Sequence, residues 1–316
     1  MLRRVLFFAA LLALAGPWSR ADYALIGGIA LGVLGLSSFA KESKVTSKWL
    51  IQACVIALGL RLNLAVLADS ALAGLALALG TIAGAVAVGL LLGALLKCQR
   101  EVSVLVTAGT AICGGSAIVA VGTAVGAASA NMAVATGAIF VLNAVGLWTL
   151  PSIGHALGLS EVQFGQWAGV ALHDIASVGG AARSYGAEAF DTANIVKLTR
   201  VIWILPLALL AARFLRGSSA ASQRAPFPWF ILLFLVASTV RTLVPSLASH
   251  DQIVLMLSGV GFQVALFLIG TGLTRAALQQ VGWRALAQAT LLWILVAGAS
   301  LAIIATTGDG QVAGAR

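Results

Sequence analysis

From Val102 to Ser160 the chain contains no Asp, Glu, Lys or Arg. A run this long and this free of charge cannot be hidden in the core of a soluble domain. A helix crossing a bilayer needs about 20 apolar residues, and the run accommodates two spans, near residues 102–127 and 131–150. The rest of the sequence has the same texture. Apolar residues make up 60% of the 316 and charged residues only 9%, against about 25% charged in a soluble domain. Mean hydropathy is +1.04. A soluble enzyme, a disordered chain and a nucleic-acid binder are excluded. The net charge of +9 belongs to loop cations of the kind that orient membrane proteins. Cys54, Cys98 and Cys113 form no C-x-x-C pair, and nothing points to a metal or any other cofactor.

Charged residues and Pro/Gly clusters divide the sequence into about eleven apolar segments, near 5–16, 23–39, 49–68, 71–96, 102–127, 131–150, 163–183, 191–212, 228–247, 252–273 and 284–306. The predicted fold is an all-α polytopic membrane protein forming one integral membrane domain over residues 1–316, with 23–306 as its core. The first segment, preceded by Arg3-Arg4 and followed by Gly16-Pro17, also fits a signal peptide. With the N-terminus inside, twelve of the nineteen Lys and Arg fall in inside loops, from Arg3 and Arg4 through Lys41, Lys44, Lys48 and Lys97 to Arg275 and Arg284. This asymmetry predicts a cytoplasmic N-terminus, a periplasmic C-terminus and an odd number of spans. Trp18, Trp49, Trp148, Trp167, Trp229 and Trp283 lie near predicted span ends, where indole rings favour the interface.

Ionisable groups within spans mark functional sites by default. Arg61 lies within the third segment, where it either serves a site or snorkels outward. Arg241 stands four residues before Pro245, and snorkelling suits it better. Lys197 and Arg200 share one helix face with Asn194 one step before them, which calls for a protein interior or a wet cavity. Of ten acids only Asp174 lies deep, beside His173 and followed by Ser177 and Gly179-Gly180. Asp174 could pair with Lys197 or Arg200, but the interior still carries excess positive charge, and a substrate anion would answer it.

Gly114-Gly115 in Ala108-Gly-Thr-Ala-Ile-Cys-Gly-Gly-Ser-Ala-Ile118 weakens a helix in mid-span and frees backbone groups. Such groups are tolerated at membrane depth only in protein or along a cavity. Packing through small residues is the plainer explanation of glycine here. The density of Cys113, Gly114, Gly115 and Ser116 favours an unwound segment whose half-helix N-terminus would offer N–H groups to an anion. A second interruption is expected near His173–Gly180. The sequence also echoes itself: Ala108-Gly109 and Gly126 match Ala168-Gly169 and Gly186 sixty residues on, which sets Cys113–Ser116 level with His173–Ala176.

Ala111-Ile-Cys-Gly-Gly-Ser-Ala-Ile118, Gly169-Val-Ala-Leu-His-Asp174 and Ile195-Val-Lys-Leu-Thr-Arg200 stand in the order found in the bacterial sulfate exporter family of inner-membrane proteins. Leu58-Gly-Leu-Arg-Leu62 resembles that family's third-span motif, while Ser177-Val-Gly-Gly180 departs from its bulkier pattern. The resemblance spans roughly residues 20–310. It implies a secondary-transporter fold distantly similar to sodium/proton antiporters and bile-acid symporters, with inverted repeats and crossed discontinuous helices.

The expected function is secondary transport of a small inorganic or organic anion, sulfate or a related sulfur oxyanion by the resemblance, exported across the inner membrane. The lack of a G-x-x-x-x-G-K-[ST] loop argues against a primary pump. Expected partners are the anion, the lipid bilayer and, through His173 or Asp174, protons; sodium coupling through unwound carbonyls and Ser116 lacks a carboxylate cluster. No nucleic acid is expected, and a homo-oligomer is left open. Two alternatives use the same polar interior: an anion channel, or a membrane-embedded enzyme with Ser116 or Cys113 as nucleophile. The binding residues expected for the transporter are Cys113, Gly114, Gly115, Ser116, His173, Asp174, Ser177, Lys197, Arg200 and Arg61.

Overall fold

A computed structural model describes residues 2–13, 21–37, 39–61, 64–201, 203–215 and 229–307. Every regular element among them is helical. The order is α1 Leu2–Ala13, α2 Ala21–Val33, α3 Ala40–Gly59, α4 Leu64–Leu95, α5 Arg100–Ala111, α6 Gly115–Val125, α7 Ser129–Ala156, α8 Glu161–Ala171, α9 Ile175–Tyr185, α10 Ala187–Val201, α11 Ile204–Leu215, α12 Trp229–Leu243, a 3-10 turn Pro245–His250, α13 Asp251–Thr271, α14 Arg275–Gln280 and α15 Trp283–Thr307. Five stretches are long and apolar enough to cross a membrane: Ala78–Leu95, Ala130–Ala156, Ala187–Phe214, Pro245–Thr271 and Trp283–Thr306. Shorter apolar helices accompany them. The first apolar segment packs through Phe7 against Phe267 of α13, ring centroids 5.5 Å apart.

Two of the eleven predicted spans are not single helices but fold back on themselves. The segment 102–127 is a hairpin of two half-helices, α5 and α6, lying side by side. A Cβ built on Gly109 would touch Ile118 at 3.0 Å, and one on Gly122 would touch Leu105 at 3.2 Å. The register is antiparallel, since residues from the start of α5 meet residues from the end of α6. At the open end, the Glu101 carboxylate accepts from Asn131 Nδ2 (2.6 Å) and the Ala128 amide (3.3 Å), joining the hairpin's base to the start of α7.

The segment 163–183 folds back in the same way. Phe164 of α8 stacks on Tyr185 of α9 with centroids 3.9 Å apart, and Tyr185 donates to Leu159 O at 2.7 Å. Its base is tied by Glu161, which accepts from the amides of Glu188 (2.9 Å) and Ala189 (3.3 Å) at the start of α10. Glu101 and Glu161, and likewise Ala128 and Glu188, are sixty residues apart. The predicted offset is therefore a true structural repeat: hairpin, base carboxylate, long helix.

The two repeats are inverted. The first hairpin is rooted at the N-terminal end of α7. The second is rooted at its C-terminal end, where His155 stacks on Tyr185 at 4.1 Å and Gly154 abuts Phe164. With 28 residues α7 is about 42 Å long, enough to span. The hairpins are consequently rooted at opposite ends of α7 and point at each other.

Two further expectations need correction. Gly179-Gly180 does not interrupt a helix: both lie within α9, where Gly179 faces Phe262 and Gly180 faces Ala21 and Leu266. The second break falls at the start of the expected region, at Leu172–Asp174, because Asp174 caps the helix that follows. Trp167 is no interface anchor; it is 3% exposed and donates Nε1 to Ala297 O at 2.9 Å. Trp49, Trp148, Trp229 and Trp283 are exposed as expected, and Trp18 lies outside the described residues.

Close helix contact fixes the second hairpin on α10. A Cβ on Gly169 would stand 2.9 Å from Ala193 O, so the two backbones meet where glycine leaves room. On the other side, α15 sends Gln288 Nε2 to Gly89 O (2.9 Å) and Ser103 Oγ (2.9 Å), fastening α4 and α5. Interhelical bonds of this kind contribute about 0.6 kcal/mol each in a membrane.

Candidate functional site

The tips of the two hairpins form the site. At the first, α5 ends at Ala111, and Gly114 takes φ 66°, ψ −121°, donating its amide to Gly109 O at 2.8 Å before α6 starts. A side chain at that φ would be strained. At the second tip, Leu172 and Asp174 are extended. The Asp174 carboxylate accepts from the Ser177 amide (2.8 Å) and the Ser177 hydroxyl (2.6 Å), an N-cap that satisfies an orphan donor of α9. The tips touch: a Cβ on Gly114 would sit 3.4 Å from His173 Cβ.

Asn143, at the middle of α7, holds the second tip. Its Oδ1 accepts from the His173 amide at 2.9 Å and lies 3.2 Å from His173 Nδ1, while its Nδ2 donates to Asp174 Oδ2 at 2.5 Å. That geometry assigns the Nδ1 proton to His173. The His173 ring thus addresses Asn143 and not Asp174, and His173 Nε2 is buried without a partner. A catalytic His–Asp couple is not formed by these neighbours.

Lys197 and Arg200, both 0% exposed, act on the hairpin ends from α10. Lys197 Nζ donates to Ile112 O (3.1 Å) and to Leu172 O (2.5 Å). These carbonyls are again sixty residues apart, the first residues beyond α5 and α8. Arg200 donates to Ala111 O at 2.5 Å and to Thr81 Oγ1 of α4 at 2.6 Å. The carbonyl equivalent to Ala111 is Ala171, and it is taken by Trp293 Nε1 at 2.9 Å. Each half-helix ends in freed carbonyls carrying the negative end of its dipole, and cationic or N–H donors there are stabilising. Among the described residues neither cation forms a salt bridge with a carboxylate.

The structure therefore brings Cys113, Gly114, Gly115, His173, Asp174, Ser177, Lys197 and Arg200 to one junction. Cys113 is buried at the tip, just ahead of α6. Ser116 is exposed and Gly115 half-buried, on the open side of the first tip. Arg61 is not brought in. It pairs with Asp191 at 2.7 Å near the base of the second hairpin, which explains an arginine inside an apolar segment without snorkelling or a ligand. Arg241 bonds Pro245 O (3.1 Å) and Asp251 (3.5 Å) at the end of α12.

Asn143, Thr81 and Thr110 are additions. Asn143 was visible as an amide within the charge-free run, the pattern of a buried hydrogen-bonding residue. Thr81 and Thr110 carry no sequence signal, because threonine is common in apolar helices. Thr110 Oγ1, Arg200 Nε and Asn194 Oδ1 are buried without partners around the junction.

The profile of the family described as conserved hypothetical protein 698 matches residues 6–289. A UPF0324 membrane protein of Geobacter sulfurreducens is 40% identical over 303 residues, covering 95% of this chain and 96% of the relative. One from Porphyromonas gingivalis is 40% identical over 290 residues, covering 91% and 87%. One from Bdellovibrio bacteriovorus is 37% identical over 291 residues, covering 91% and 90%. No solved structure matches the chain.

Proposed function

The chain belongs to the conserved hypothetical protein 698 family, that of the UPF0324 membrane proteins, and on that premise we propose that it is a secondary transporter for a small anion. The observation that carries this reading is the meeting of two inverted re-entrant hairpins at buried Lys197 and Arg200, which have no carboxylate partner among the described residues. Counting each helix end as about half a charge, the two N-termini and two C-termini at the junction cancel. Lys197 and Arg200 then outweigh Asp174, leaving about one positive charge for a substrate anion to neutralise.

The anion's place is the head of α6. The equivalent head of α9 already holds the Asp174 carboxylate, whereas Gly114 offers no side chain at α6 and Ser116 faces the open side. Exposed N–H groups and a serine hydroxyl at a positive helix end suit an oxyanion. Sulfate, sulfite, a sulfonate or a small carboxylate all present this chemistry, and the family resemblance favours the sulfur oxyanions. The membrane is the bacterial inner membrane, with the N-terminus cytoplasmic and the C-terminus periplasmic. Removing two crossings leaves the predicted number of spans odd, and every cation-bearing loop keeps its side.

The test is counterflow in liposomes containing the purified protein. Labelled sulfate, sulfite, a sulfonate and a small carboxylate are offered in turn. Saturable exchange of one of them is the expected result. Unitary currents would transfer the reading to a channel, turnover of a covalent probe at Ser116 or Cys113 to an enzyme, and no binding of any anion would end it.

A further inference from the structure

Lys197 holds two acceptors that ordinarily answer to a different kind of partner. Ile112 O and Leu172 O arrive from opposite faces, at equivalent positions of the two repeats, each at the negative end of a half-helix. Unwound carbonyls and half-helix C-termini converging within a membrane protein present the coordination shell of a small monovalent cation. Two more buried oxygens lie close by in sequence. Thr110 Oγ1 stands two residues before Ile112, and Asn194 Oδ1 one helical turn before Lys197. Both are unpartnered, on residues 2% and 1% exposed. The two carbonyls converge on one point, yet the cation they hold is covalently attached.

We infer that Ile112 O and Leu172 O form the core of a monovalent-cation site permanently filled by the Lys197 amine, and that removing this amine opens the site to sodium. The protein consequently carries its own counter-cation and runs without sodium. This stands on the carbonyl geometry alone, whatever solute is carried, so its failure leaves the anion reading untouched. A lysine that merely caps two helix ends would also stabilise the fold, but its loss would not be repaired by one particular salt.

Thermal unfolding of the purified full chain separates the two. Wild type is measured in sodium chloride, potassium chloride and choline chloride at equal ionic strength, and its melting temperature is expected to be the same in all three. Lys197→Ala is expected to melt lower in choline and to recover, saturably, by about 5 °C as sodium replaces choline. Lys197→Gln, whose amide can still donate to a carbonyl, is expected to respond little to sodium. A monodisperse Lys197→Ala protein with equal melting in every salt overturns the inference, as does a wild type stabilised by sodium. Should Lys197→Ala fail to fold in choline, recovery of folded protein in sodium supports the site. Failure of both Lys197→Ala and Lys197→Ser to fold in sodium overturns it.

Discussion

The two hairpins are built to one plan and finished differently. Both have arms of 11 or 12 residues, a glutamate at the base and a pair of freed carbonyls beyond the first arm. The first tip turns on Gly114, with no charge of its own; the second, sixty residues on, turns on Asp174, tied to Ser177 and Asn143. The carbonyl of Ala111 is met by a guanidinium and that of Ala171 by an indole. The difference teaches that an inverted repeat can keep its frame while placing a charge at one tip and none at the other. One helix head has no side-chain cap and the other is capped by a carboxylate.

The largest expected effect comes from the residue the two hairpins share. Lys197→Met leaves Ile112 O and Leu172 O without a donor, and with about 1–3 kcal/mol for each unpaired group it should cost about 2–6 kcal/mol. Denaturant unfolding in detergent and sodium-free buffer measures it. Loss of less than about 0.5 kcal/mol would show that the tips do not depend on this contact.

Charge at the tips is the next lever. Ser116→Asp places a carboxylate at the open helix head, copying the second hairpin. Anion binding, read by equilibrium dialysis, should fall at least tenfold, about 1.4 kcal/mol, with melting temperature unchanged or raised. Unchanged binding would put the anion elsewhere. Cysteine scanning sharpens the same contrast: Ser116→Cys should react with a membrane-impermeant maleimide from one side of the bilayer, and Ser177→Cys, fully buried, should not.

The bases are predicted to be equivalent where the tips are not. Glu101→Gln and Glu161→Gln should each cost about 0.5–1.5 kcal/mol, with faster amide exchange at Ala128 and Glu188 respectively. A cost confined to one of them would break the repeat at its root. Arg241→Ala should be smallest, within about 0.5 kcal/mol by denaturant titration, because its ion pair lies at a helix end exposed to water.

Much of the frame was legible. Gly114-Gly115 and His173-Asp174 announced interruptions, and the sixty-residue offset announced the repeat. What could not be read was that each interrupted segment turns back. Cations in loops report which side a loop lies on, and the loops closing the first hairpin and opening the second, within residues 102–160, contain none. A crossing and a re-entrant hairpin are then indistinguishable. The signal was present in Glu101 and Glu161, but their partners lie 27 to 30 residues away, beyond local pattern. Lys197 and Arg200 were recognisable as interior cations, whereas their partners, being backbone carbonyls, leave no trace in side-chain identity. Arg61 and Asp191, 130 residues apart, illustrate the same limit.

The glutamate at each base also decides how such a hairpin can move. It ties the first arm to the start of the long helix that follows the second arm, so the root is fixed, and a hairpin moving as a rigid pair would pivot about the carboxylate. An arm of eleven residues is about 16 Å long, so a swing of about 10° carries the tip about 3 Å. That travel parts Gly114 from His173 and exceeds the reach of a hydrogen bond to Lys197, while displacement at the root stays small. The hairpin's length thus sets its gearing: a small rotation at the root would become a full separation at the tip.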